Sequence, residues 1–211
     1  MTISVKLTES FSAINKKINH VLSKELNKRI TKNTRQATRM FMAAIPIWIR
    51  QQPEIQSLLA HGTPGSLNAQ FGLSPGSASG AVDSIISAVV SSMHIKIAKV
   101  SSRLQGAVEF NFQSTDFVNL LNLGDGHQRT ELGADLHWLD WLLTKGDIVI
   151  IKGYHYEPSS GGRSRGGTMG QSGFFRVDPQ YSGTETDNFI TRAFLGRERE
   201  ISQILVSLLR Q

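Results

Sequence analysis

A chain of 211 residues with 39% apolar content can bury roughly 70% of its unfolded surface, so we predict one domain spanning residues 1–211. The absence of cysteine excludes disulfides, thiolate metal sites and a cysteine nucleophile, and it favours folding in a reducing cytoplasm. The net charge of +6 is unevenly distributed, because residues 1–50 carry ten Lys and Arg against two Glu, whereas the rest of the chain sums to −2.

Neither a secretory signal nor a membrane span is expected. Residues 1–10 alternate polar and apolar types and lack the apolar stretch of a signal peptide. The most apolar run, Met40–Ile49, is about half as long as a membrane-spanning helix requires and contains Pro46.

The first 50 residues predict one basic amphipathic helix, from about residue 10 to a break at Ile45-Pro46. Apolar residues recur at steps of three and four and predict a core-facing side: Phe11, Ile14, Ile18, Val21, Leu22, Leu26, Ile30, Ala37, Met40, Phe41 and Ala44. The other side carries the basic residues Lys17, Lys24, Lys28, Arg35 and Arg39. These are either a solvated face or an electrostatic contact with nucleic acid or an acidic partner.

The middle of the chain begins with a connector rich in Pro, Gly and Ser over residues 51–80, with short helical fragments at Glu54–Ala60 and Ser66–Phe71. A helix is predicted at Ala81–Met93, where apolar residues share one face. Alternating residues at Ile95–Val100 and Val108–Gln113 then predict an antiparallel hairpin.

In the last third, the pattern predicts helices at Asp116–Leu123 and Asp135–Leu143, a strong strand at Asp147–Tyr156, and a flexible Gly/Ser loop at 159–173. A short strand at Phe174–Val177 and a last helix at Asn188–Leu209, weakened by Gly196, follow. The predicted fold class is α+β, in which a long N-terminal helix and a C-terminal helix pack on a small antiparallel or mixed β-sheet, with long Gly-rich loops. Residues 81–211 would form its core.

Little in the sequence indicates catalysis, and we predict no catalytic residue, no metal site and no cofactor. His137 and Asp140 have helical i, i+3 spacing, which favours a hydrogen bond on the helix surface over a metal or acid/base role. Trp138, Trp141, Tyr154 and Tyr156 could stack on bases or sugars, but their aliphatic neighbours favour core packing.

The glycine-rich loop carries Arg163, Arg165 and Met169. Glycines let backbone N–H groups approach a phosphate, yet the loop is followed by a strand, so no helix N-terminus is placed to hold an anion. A hairpin loop, an arm that faces a neighbouring subunit or DNA, and an enzymatic phosphate site are the alternatives.

Four stretches resemble virion structural proteins of tailed bacteriophages, the neck or tail-completion proteins that join a DNA-filled head to the tail. They are residues 66–90 (SLNAQFGLSPGSASGAVDSIISAVV), 133–156 (GADLHWLDWLLTKGDIVIIKGYHY), 163–169 (RSRGGTM) and 181–194 (YSGTETDNFITRAF). The resemblance weakens over the first 60 residues.

The resemblance implies a subunit of a ring, of six or twelve copies, located in the virion and assembled in the host bacterial cytoplasm. Its partners would be copies of itself and other neck, portal-adaptor and tail proteins, with genomic DNA possible in the lumen and no membrane. Arg163, Arg165 and Met169 would then belong to an assembly or DNA-facing loop. Two other functions stay open: a nucleic-acid-binding module that uses the basic N-terminal helix, and, more distantly, a hydrolase with Arg163 and Arg165 near its substrate.

Overall fold

The computed structural model of the chain describes residues 8–113, 116–129 and 135–210, and within them it confirms an α+β fold. These residues form eight α-helices, six strands and two 3-10 turns. The helices are α1 Phe11–Arg50, α2 Pro53–Leu59, α3 Leu67–Gln70, α4 Pro75–Ser92, α5 Val118–Leu121, α6 Trp138–Leu143, α7 Phe189–Phe194 and α8 Glu198–Val206. The strands are β1 His94–Ala98, β2 Ala107–Asn111, β3 Gln128–Arg129, β4 Asp135–Leu136, β5 Ile151–Pro158 and β6 Gly167–Phe175, and the 3-10 turns are Gly124–Gly126 and Ser207–Leu209.

The chain divides into two compact units. Unit 1 comprises Met1–Phe41, His94–Asn111 and Arg199–Gln211, and unit 2 comprises Met42–Met93 and Phe112–Glu198. Helix α1 contributes residues to both units. The single domain expected from the sequence stays a prediction.

Helix α1 passes through Pro46 and ends at Arg50, so the predicted break at Ile45-Pro46 is wrong. Proline removes one backbone hydrogen bond from a helix interior. Ile45, Trp48 and Ile49, on either side of it, are almost fully buried. The burial of these side chains offsets the lost hydrogen bond.

The prediction of one apolar side along α1 is also wrong. Ile30, Ala37 and Phe41 are buried, whereas Phe11 and Ile18 are exposed. The reason lies in the spacing, because the apolar residues 18, 22, 26 and 30 follow one another at intervals of four residues. Each such step advances about 40° around a helix of 3.6 residues per turn, so the apolar stripe rotates by about 120° between residues 18 and 30.

Unit 1 is completed by a hairpin and the C-terminal segment. β1 and β2 pair antiparallel from His94↔Asn111 to Ala98↔Ala107, which confirms the predicted hairpin. The Phe110 ring stacks on Phe41 of α1, with centroids 3.9 Å apart.

Two asparagine side chains of α1 form hydrogen bonds with the hairpin and with the C-terminal segment. Asn27 exchanges two hydrogen bonds of 2.9 Å with the backbone of Val100. Asn33 donates to the carbonyl groups of Leu208 and Arg210 at 3.2 and 2.8 Å.

Unit 2 holds most of the buried side chains, and the predicted connector 51–80 contributes to its core. Leu58 of α2 and Leu67 of α3 are fully buried, and Phe71 stacks on the buried Trp138 of α6 with a centroid distance of 5.5 Å. Helix α4 starts at Pro75, six residues before the predicted start, because Ser74 caps it and Pro75 is compatible with the first helical turn.

A buried ion pair joins two helices of unit 2. Glu54 of α2 is only 1% exposed and pairs with Arg192 of α7, which also hydrogen-bonds Asp187 at 2.6 Å. Burial lowers the pKa of Arg192, whereas the hydrogen bond to Asp187 and the charge of Glu54 raise it. The raising effects are larger, so the pKa of Arg192 lies above its ordinary value.

The strands of the described residues form three separate two-stranded antiparallel ribbons, β1–β2, β3–β4 and β5–β6, where one small sheet was expected. β5 begins at Ile151, four residues later than predicted, and the predicted loop 159–173 is too long, because β6 already starts at Gly167. Alternation could not reveal β6, since three of its nine residues are glycine.

Two predicted helices have different limits. Asp135 and Leu136 pair in β4, so α6 begins only at Trp138. The predicted last helix is split, since α7 ends at Phe194 and Gly196 adopts a positive φ of 78° before α8 begins.

Candidate functional site

The five basic residues predicted to share a face of α1 do so, and we call them the basic row: Lys17, Lys24, Lys28, Arg35 and Arg39. All five are exposed. Their spacing places them within about 60° of one another and roughly opposite the buried side of the helix. The row extends over about 33 Å, at 1.5 Å per residue.

Within the described part of the chain, most charges of the basic row lack an ion-pair partner. Lys17 pairs with Glu9 at 2.5 Å. Across the described ranges 8–113, 116–129 and 135–210, no ion pair involves the other four side chains. Surface charges of this kind keep their full attraction for an external anion, reduced only by salt screening.

Unit 1 concentrates positive charge well beyond the row. By sequence, its three segments contain 14 Lys and Arg against 4 Asp and Glu, a formal charge of +10, whereas unit 2 has a formal charge of −4. The hairpin and the C-terminal segment thus add to the basic excess that the sequence places in the first 50 residues.

A small concave site, which we call the basic notch, lies beside the basic row in unit 1. It encloses about 240 Å³ and is lined by Glu25, Lys28, Arg29, Lys32, Asn33 and Arg210. The Arg29 guanidinium hydrogen-bonds Glu25 at 3.0 Å. Four cations and one carboxylate therefore surround a space large enough for a hydrated oxyanion.

Exposed apolar side chains occupy the first three turns of α1. Phe11, Ile18, Val21 and Leu22 are 75%, 49%, 65% and 45% exposed. They lie within about 100° of one another, next to the basic row. We call these four residues the apolar tip.

In unit 2, the turn at 159–166 packs against the segment before α4. Gly166 and Gly167 are buried, and a Cβ atom on Gly166 would lie 2.5 Å from the Cβ of Ala69. The hydroxyl of Tyr156 donates to the Gly166 carbonyl at 2.6 Å and accepts from the Gly65 N–H at 2.9 Å.

Arg163 of this turn and Met169 of β6 line a cleft of about 560 Å³, and the exposed Arg165 does not. Arg163 donates from Nε to the Gly72 carbonyl at 3.1 Å. The other cleft-lining side chains include Phe71, Leu136, Ile151, Tyr154, Tyr156 and Thr168. The volume suits a small molecule, and the mixture of aromatic and polar groups is common in such sites.

His137, which has helical spacing to Asp140 in the sequence, contacts His127 in the structure. The His137 ring stacks on His127, with centroids 4.0 Å apart, and His127 contacts Asp135 at 2.9 Å. Burial and the nearby charge of His127 lower the pKa of His137 below its ordinary value of 6.5. Asp140 itself accepts a hydrogen bond from Thr144 and lies 3.6 Å from Lys145.

No three His, Asp or Glu side chains of the described ranges converge as metal ligands would. Among the helices of the described chain, none has both the length and the apolar character needed to cross a membrane.

Comparisons with protein families, with curated proteins and with solved structures each return no match.

The basic notch contains residues that the sequence analysis did not single out. Arg29 and Lys32 were visible as part of the basic excess, but Arg210 is 177 residues from Asn33, whose amide fixes its backbone. No local pattern signals such a contact.

Proposed function

We propose that this chain is a non-enzymatic structural subunit of a tailed-phage particle, one that forms part of the neck or tail-completion ring between head and tail. The four stretches at 66–90, 133–156, 163–169 and 181–194 support the proposal by their resemblance to such proteins. A subunit of this kind acts through assembly geometry, so its functional surface is one that a neighbouring subunit covers.

The observation that carries the proposal is the apolar tip. Its four large side chains lie on consecutive turns and are 45–75% exposed. Isolated exposed apolar residues are common on proteins, but a contiguous patch on one helix is typical of a surface that docks in a groove of a partner. Because these side chains face away from the side that α1 buries further along, the described residues of unit 1 leave them exposed.

The first test is the size of the purified chain, measured by light scattering after size exclusion, with negative-stain images of any large species. We expect closed rings of about six or twelve subunits. The double variant Ile18→Asp/Val21→Asp should abolish them, since two carboxylates in a buried contact are costly.

The matched control is Thr31→Asp/Gln36→Asp, which adds the same charge at two exposed positions of α1 outside the apolar tip. It should leave the rings intact. Rings that persist in the apolar-tip variant would remove this tip from the assembly surface, and a wild-type monomer that also fails to join purified neck complexes would contradict the proposed function.

A second candidate function, a nucleic-acid-binding module, is favoured by four cations of the basic row, Lys24, Lys28, Arg35 and Arg39, which have no ion-pair partner among the described residues. The two candidates differ in their dependence on concentration and salt. DNA binding by a module should survive dilution to single subunits and weaken steeply with salt, whereas a ring subunit should owe its behaviour to self-association.

A further inference from the structure

We propose that the basic notch in unit 1 binds a phosphate group of a nucleic-acid backbone, and that the basic row continues the contact along the same strand. The proposal deepens the second candidate function, the binding of nucleic acid, and rests on it. It adds a defined site and a residue, Arg210, that a basic helix alone would not supply.

The notch is built by two distant parts of the chain. The Asn33 amide holds the carbonyl groups of Leu208 and Arg210 against α1, with donor–acceptor distances of 3.2 and 2.8 Å. These bonds fix the backbone that carries Arg210, so its guanidinium group is brought to the rim of the notch beside Lys28 and Lys32.

The charges around the notch are arranged for an anion. Lys28 and Lys32 are four residues apart on one helix face, where two like charges repel each other. Within the described ranges, neither lysine nor Arg210 has an ion-pair partner, and Glu25 contacts only Arg29 among the cations of the notch. An oxyanion between them would relieve this repulsion and accept several charge-assisted hydrogen bonds.

The chemistry and the length of the surface favour a phosphodiester chain over an isolated ion. The guanidinium group of Arg and the ammonium group of Lys are the usual donors to phosphate oxygens. The basic row runs for about 33 Å, which equals about ten base pairs of duplex at 3.4 Å per base pair. A polymer with a regular repeat of negative charge can therefore contact the row and the notch together.

The test uses the full chain and a fluorescently labelled 20-base-pair duplex, titrated at several salt concentrations. In the variant Lys32→Gln/Arg210→Gln, binding should weaken about tenfold, because each substitution removes a charged hydrogen-bond donor. The slope of log affinity against log salt should fall by about 1.8, that is by about 0.9 for each lost phosphate contact.

A control variant separates the effect of the notch from the effect of net charge. The variant Arg129→Gln/Lys152→Gln removes the same charge from two exposed positions of unit 2 that lie outside the notch and the basic row. It should bind the duplex with nearly the wild-type salt slope. If the unit 2 control weakens binding as much as the notch variant, the notch is not a phosphate site, even though nucleic-acid binding itself stands.

The side-chain amide of Asn33 reports on the notch directly, because it lies in the lining. Its nuclear magnetic resonance signal should shift saturably with duplex, and inorganic phosphate should produce the same shift only at far higher concentration. A shift with inorganic phosphate alone would overturn the assignment to nucleic acid in favour of a small-anion site. Equal affinity for polyglutamate of matched charge would overturn it in favour of an acidic protein.

A wild-type chain that binds no duplex at the lowest salt would refute the nucleic-acid function and this inference together. The ring proposal is judged separately, by light scattering without nucleic acid.

Discussion

The two units of the chain differ sharply in what they bury. Among the described residues, 28 buried hydrophobic side chains belong to unit 2 and five to unit 1: Ile30, Ala37, Phe41, Ile204 and Leu208. Unit 1 also has a formal charge of +10, against −4 for unit 2.

This difference in burial means that the two units contribute differently to the stability of the fold. Burial of apolar surface is the main favourable term in folding, so unit 2 carries most of the folding free energy. Unit 1 is held by a few contacts, such as the Phe41–Phe110 stack and the hydrogen bonds of Asn27 and Asn33, and it exposes the basic row and the apolar tip. A substitution should therefore affect mainly stability in unit 2 and mainly binding or local order in unit 1.

The two units should differ most in the free energy of unfolding that is lost when an ion pair is broken. Arg192→Met leaves the 1%-exposed Glu54 without its partner and should lower the free energy of unfolding by about 3–5 kcal/mol, as measured by urea denaturation. Arg29→Met breaks an exposed i, i+4 pair of unit 1 and should cost only about 0.3–0.5 kcal/mol. Equal losses would contradict the view that Glu54 needs Arg192, and Glu54→Leu combined with Arg192→Met should recover most of the stability.

The second largest change in stability is expected at Gly166, in the turn at 159–166. Gly166→Ala places a Cβ atom 2.5 Å from the Ala69 Cβ and 2.9 Å from the Thr63 carbonyl oxygen, and should destabilise the protein by about 1–3 kcal/mol. At Gly80 in α4, the new methyl group meets no described side chain or other segment of the chain within 4 Å, so Gly80→Ala should instead stabilise the protein by about 0.5–1 kcal/mol. Thermal melting of both variants checks the prediction, which fails if Gly166→Ala melts at or above the wild-type temperature.

In unit 1, Asn27→Ala removes both hydrogen bonds to Val100 and should cost about 1–2 kcal/mol. The loss should be local, so hydrogen exchange of the β1–β2 hairpin should accelerate while that of α4 changes little. Asn15→Ala, at an exposed position of the same helix, is the control. Unchanged exchange in the hairpin would show that Asn27 does not anchor it.

The smallest expected effect concerns pH and the His127–His137 stack of unit 2. Because burial and the His127 charge lower the pKa of His137, the folded state takes up this proton less readily than the unfolded state. The stability that neutral His137 contributes is thus present above pH 6.5 and is lost as the pH falls from 6.5 towards the lowered pKa.

Melting temperatures at pH 7 and pH 5 test this. Wild type should lose more stability on acidification than His137→Asn, and the exposed His20→Asn should behave as wild type does. Equal acid sensitivity of all three chains would contradict the assignment.

The sequence predicted those features that depend on local spacing. It gave the α+β class, the long basic helix, the β1–β2 hairpin and the shared face of Lys17, Lys24, Lys28, Arg35 and Arg39. The rotation of the apolar stripe was also encoded, in the four-residue steps between Ile18 and Ile30, although a search for apolar periodicity alone does not distinguish a straight stripe from a rotating one.

Only the tertiary structure decided the features that depend on distant contacts. The passage of α1 through Pro46 depends on the burial of its flanking residues, and β6 depends on pairing with β5, since its glycines carry no strand signal. The basic notch needs Arg210 to be fastened to Asn33 across 177 residues. The spacing of residues in the local sequence determines the side of a helix on which a charge lies. The packing of the whole chain determines which other side chains lie near that charge.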